Sequence, residues 1–136
     1  MNATLIGISA GVSTLLIFAF FKRLDKDLIY GLILAAIGFL YVGYTWSDIS
    51  ALIMNLLQAL FFLMLAYFGV KKNSYYLIAG YFLHGLWDFM YGHVGDPGLI
   101  PPDYDWFCST YDFIIGFYLL ILKVQMNRNA GNAQRK

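Results

Sequence analysis

Five apolar runs, each near the about 20 residues that a helix needs to cross hydrocarbon, fill this chain almost from end to end. They occupy residues 3–21, 28–46, 49–70, 75–94 and 105–124, and only short polar stretches separate the first four. The connection at 95–104 is the long one, and it holds all three prolines. Such a pattern predicts an all-α polytopic transmembrane bundle of five helices at 1–125, followed by a polar cytoplasmic tail at 126–136 without fixed structure. Composition agrees, because 60% of the residues are hydrophobic and 12% are charged, too few charges to solvate a soluble globule of this length.

The basic residues sort to one side of this five-span arrangement. Lys22, Arg23 and Lys26 fall in the first loop and Lys71 and Lys72 in the third. Lys123, Arg128, Arg135 and Lys136 lie at or beyond the end of the fifth span. Retention of Lys/Arg-rich loops in the cytoplasm then predicts an N-terminus outside, a cytoplasmic C-terminus and a place in the cell (inner or plasma) membrane. A cleaved signal peptide is not expected, since the positive charges follow the first apolar run and no small-x-small cleavage site is evident. Tyr30, Tyr41, Tyr44, Trp46, Tyr75, Tyr76, Tyr104 and Trp106 are expected to anchor the boundaries, where amphipathic rings prefer to lie.

A net charge of +1 with no basic face excludes a nucleic-acid binder and leaves membrane lipid as the expected partner. The single cysteine, Cys108, cannot form an intramolecular disulfide. Gly7 and Gly11 make a Gly-x-x-x-Gly pattern, and Gly31, Ala35 and Gly38 make a second small-residue stripe. Such faces serve homo-oligomers or helix contacts within one chain, and for Gly7/Gly11 the second use is the commoner.

The informative residues are ionisable groups inside the spans, because a carboxylate at the bilayer centre costs about 2.5–3.5 kcal/mol on insertion scales. His84 and Asp88 stand at i, i+4 with Tyr91 at i+7, which puts the three on one helix face. Asp112 in the fifth span shares the depth of Asp88, each about 9–10 Å inside its outer helix end. His84, Asp88 and Asp112 are therefore the candidate catalytic residues. Asn55 and Gln58 fall at similar depths in the third span, Trp87 immediately precedes Asp88, and Cys108 lies one helical turn before Asp112 on the same face. With Tyr91 these make the candidate binding residues. Two readings stand beside each other: a functional acid–base site, or a hydrogen-bonded fastener between the last two spans.

No metal or cofactor is expected. A metal needs three convergent protein ligands, and spacing alone places only two or three, since His93 is nine residues from His84 and turns to the opposite side of an ideal helix. Cys108 reads as a buried small residue, because the outer side offers no Lys or Arg to support a thiolate. Asp96, Asp103 and Asp105 read as a solvated, turn-rich cap.

The stretch from Leu83 to Asp88 and the later stretch from Cys108 to Asp112 resemble an uncharacterised bacterial family of small integral membrane proteins. That family carries a His-x-x-Trp-Asp motif on its penultimate helix and a Cys-x-x-x-Asp motif on its last. The likeness covers the third to fifth spans. It implies importance for His84, Asp88, Cys108 and Asp112 but supplies no reaction, and Tyr91-Gly92 stands where the family continues with a His pair. Three classes follow as expectations: an enzyme using acid–base chemistry on a lipid or isoprenoid, a small proton- or solute-coupled carrier subunit, and a structural or assembly partner.

Overall fold

The computed structural model describes residues 3–21 and 23–133. Lys22, Arg135 and Lys136, among the basic residues discussed above, lie outside the described residues. Five α-helices follow one another: α1 (Ala3–Phe20), α2 (Lys26–Tyr44), α3 (Ile49–Lys71), α4 (Ser74–Val94) and α5 (Tyr104–Ala133). A short 3₁₀ turn, Pro97–Leu99, sits between α4 and α5. Side-chain caps fix three of the helix starts. Asp25 accepts from Leu28 N at 3.1 Å, Asp48 from Ala51 N at 2.7 Å and Asn73 from Tyr75 N at 3.1 Å, each meeting an amide that the first turn leaves without a partner.

α4 is the central element, packed against α2, α3 and α5, while α2 also lies on α3 and α1 lies on α5. Small residues permit the closest approaches. A methyl group at Gly7 would collide with Thr110 and the Phe107 carbonyl, and one at Gly11 would meet Ile114 at 3.0 Å. The Gly7/Gly11 face of α1 is thus covered by α5 of the same chain. Gly31 and Gly38 do the same for α2 on α3, against Val70 and Ala59.

The distribution of polarity is inverted relative to a water-soluble bundle. Leu16, Ile17, Leu57, Met64, Phe89 and Phe117 are each more than half exposed, whereas Thr45, Asn55, His84, Asp88 and Asp112 are completely buried. Water would favour the reverse; a hydrocarbon solvent favours this, because apolar side chains lose nothing there and polar ones must find partners inside. Four helices, α1, α2, α3 and α5, are long and apolar enough to cross a membrane. The expected count was five. α4 has the length, 21 residues or about 31 Å, but His84, Asp88, His93 and its tyrosines lower its hydropathy below that of its neighbours.

Two further expectations change. Residues 126–133, read from sequence as an unstructured tail, continue α5 as helix to Ala133. Tyr30 and Tyr41 are core residues, 1% and 0% exposed, and not boundary anchors. Tyr30 lies in an apolar cluster with Leu34, Phe62 and Tyr81, and its carbonyl accepts the Tyr81 hydroxyl at 2.7 Å. Trp46, Tyr75, Tyr76 and Trp106 are exposed, as anchors would be.

Candidate functional site

His84, Asp88 and Asp112 meet at the centre of the α4/α5 contact, all three with no exposed surface. One turn of α4 brings His84 and Asp88 to the same face, and α5 comes close enough to insert Asp112 because residue 85 is glycine. A Cβ there would lie 3.3 Å from Asp112 Cβ and from the Ser109 carbonyl oxygen. The Ser109 hydroxyl donates to the Gly85 carbonyl at 2.9 Å, which ties the two helices together immediately beside the triad. Ser109 and Gly85 escaped the sequence reading. The available signal was Ser109 one turn before Asp112, on the same helix face.

His84 Nδ1 lies 2.7 Å from Asp112 Oδ2 and 3.2 Å from Asp88 Oδ2. The first is a short charge-assisted hydrogen-bond distance, and the second contact lacks hydrogen-bond geometry. One ring nitrogen therefore faces two carboxyl groups. Both oxygens of Asp88 and Oδ1 of Asp112 are buried without a donor, and so is the other ring nitrogen, Nε2. The imidazole is held edge-on by Phe62, with ring centroids 4.6 Å apart, and more loosely by Tyr41 at 6.3 Å. The Tyr41 hydroxyl lies beside the Asp88 carboxyl, again without hydrogen-bond geometry.

The remaining candidates divide. Asn55 donates to Thr45 Oγ1 and to the Tyr91 hydroxyl, both at 3.2 Å, and Gln58 donates to the Gly38 carbonyl at 2.7 Å. These are fully internal links among α2, α3 and α4 and do not reach the triad. Tyr91 belongs with Tyr41, their ring centroids 4.6 Å apart, in a plug completed by Ile100 and flanked by Trp87 and Tyr104. The long loop thus folds inward at Ile100 and covers the end of the site nearest the α4–α5 connection. Trp87 is half-buried and its indole N–H is without a partner. Cys108 is buried beside the Tyr104 hydroxyl and within electrostatic reach of both carboxylates.

As potential ligands, His84, Asp88 and Asp112 offer donor atoms within 4.8 Å of one another. His93 is exposed and does not join them. The 2.7 Å between His84 and Asp112 is a hydrogen-bond distance and suits a shared hydrogen. Asp96 and Asp103 are turn residues, Asp96 accepting from Gly98 N and Asp103 exposed with φ 58°, while Asp105 lies in the first turn of α5 and accepts from Trp106 N.

Residues 2–125 match a family described as a family of unknown function (DUF6010), and the chain belongs to it. The match takes in α1 and α2, which the motif resemblance did not cover. No curated protein and no solved structure matches the chain.

Proposed function

We propose that this protein is a five-span membrane protein, N-terminus outside and C-terminus cytoplasmic, whose His84/Asp88/Asp112 triad is an acid–base centre acting on a lipid or isoprenoid. The observation that carries this reading is the single imidazole nitrogen set between two carboxyl groups in a layer without exposed surface. Two ionised carboxylates and one imidazolium leave a net negative charge in a medium that cannot solvate it. One more proton, on a carboxyl, makes the group neutral. A carboxylic acid beside a carboxylate–imidazolium pair is the arrangement general acid–base chemistry requires, with a donor and an acceptor a few ångströms apart. His84 is hydrogen-bonded to Asp112, and Asp88, with two oxygens free of donors, is the carboxyl group without a fixed partner. The 2.7 Å spacing is a hydrogen-bond distance and supports a shared proton between His84 and Asp112.

The membrane span of α4 is supported by its inverted polarity: Leu83, Leu86, Phe89 and Met90 face outward, while His84 and Asp88 face α5. Orientation is supported by the side on which the basic residues gather, and a reporter fused after residue 136 should be active only in the cytoplasm. The catalytic reading is tested by mass spectrometry of membrane lipids and isoprenoids from cells producing the wild type or Asp88→Asn. A species that is consumed or formed only with the wild type is expected. Identical extracts, with both proteins present at equal levels in the membrane, would remove catalysis and leave the triad as a fastener.

A further inference from the structure

Two clefts open at the end of the bundle opposite the plug and join across one hydrogen bond. The first, about 260 Å³, has an apolar floor of Leu77, Leu119 and Leu122 and a polar rim that includes Lys26 and Lys123. The second, about 450 Å³, adds Lys72, and both are bordered by Asp27, Ser74 and Lys123. The carboxylates of the rim are already engaged: Asp25 caps α2 through Leu28 N, and Asp27 accepts the Ser74 hydroxyl at 2.9 Å. The lysines are not. Among the described residues no lysine or arginine nitrogen lies within 4.0 Å of a carboxylate, and the nearest recorded company is aromatic. Lys72 Nζ stands 5.0 Å over the Phe68 ring, and Lys123 Nζ stands 5.8 Å over Tyr75.

This geometry points to a binding site for one anionic glycerophospholipid, its phosphate between Lys26 and Lys123 and one acyl chain along Leu119 and Leu122. The charge pattern favours an anion, since three lysines, Lys26, Lys72 and Lys123, share the rim with two aspartates, Asp25 and Asp27, and only the aspartates have hydrogen-bond partners. The apolar floor requires a chain attached to that anion, which a free phosphate lacks. Basic pockets between membrane helices commonly hold anionic lipid headgroups in this way. The helical continuation of α5 to Ala133 contributes the rim's far side through Asn127, which donates to the Tyr75 hydroxyl at 3.2 Å and steadies the ring beneath Lys123. The site is independent of the buried triad, and neither depends on the other being active.

The test is native mass spectrometry of the full chain in detergent, titrated in parallel with phosphatidylglycerol and phosphatidylcholine. Phosphatidylglycerol should bind about tenfold or more tightly, in line with the contribution of two lysines near a membrane surface. Lys26→Gln combined with Lys123→Gln should erase that preference, Lys26→Arg with Lys123→Arg should keep it, and Lys71→Gln, outside both clefts, should leave it intact. Equal binding of the two lipids by the wild type would overturn the proposal. So would a preference that survives the double glutamine variant, or full displacement of phosphatidylglycerol by equimolar inorganic phosphate, which would mark a free-anion site.

Discussion

His84 Nδ1 and Asp112 Oδ2 stand 2.7 Å apart across the α4/α5 contact, and neither residue exposes any surface. Each supplies what the other lacks in a dry interior, a hydrogen and an acceptor. Intramembrane hydrogen bonds between neutral groups average about 0.6 kcal/mol, whereas a desolvated charged pair should couple more strongly. A double-mutant cycle of His84→Gln and Asp112→Asn, read as unfolding free energy in detergent, should give a coupling above about 1 kcal/mol. Strictly additive losses would mean that the two residues do not form a pair.

The donor spacing makes a prediction about metals. A nitrogen and an oxygen at 2.7 Å already satisfy each other by a hydrogen bond, and among the described residues three protein donors at most converge there, so protein purified without chelator should carry zinc, iron, manganese or copper well below one equivalent. Elemental analysis decides this. One metal per chain that disappears in His84→Ala would replace the shared proton by an ion and rewrite the chemistry of the site.

The plug of Tyr41, Tyr91 and Ile100 should govern access from the outer side. Cys108 is the sole cysteine and is buried beneath it, which makes the thiol a reporter of opening. Cys108 should react slowly with a membrane-impermeant maleimide on intact cells, and Ile100→Gly should accelerate labelling at least tenfold without unfolding the protein. Equal rates in the two proteins would show that the loop does not seal the site.

Much of this arrangement was legible in the chain because the signals were strong and local. Apolar runs set α1 to α4 and the start of α5 within two residues, since span length follows hydrocarbon thickness and Asp25, Asp48 and Asn73 cap three of the starts, whereas the end of α5 lies nine residues beyond the predicted one. The i, i+4 spacing of His84 and Asp88 and the shared depth of Asp88 and Asp112 anticipated a cluster that the structure does contain. What the sequence left hidden depends on packing. Tyr30 and Tyr41 sit at positions where a ring could equally anchor an interface or fill a core, and only the fit of α2 against α3 and α4 decides. Ser109 and Gly85 look unremarkable singly; their meaning arises from α4 and α5 lying close enough for a hydroxyl to reach a carbonyl. Asn55 and Gln58 shared the depth of the triad but point to α2 and α4, a difference of azimuth that depth cannot reveal.

The central claim is that two carboxyl groups and one imidazole hold a carboxylic acid proton inside the bundle at neutral pH. Infrared spectroscopy of the protein in lipid, compared between wild type, Asp88→Asn and Asp112→Asn, reads that proton through the carbonyl stretch of a protonated carboxyl group. The account predicts such a band at neutral pH in the wild type and its loss when Asp88→Asn and Asp112→Asn are combined. A spectrum without a protonated carboxyl band, or a band unchanged when both aspartates are replaced, would contradict it.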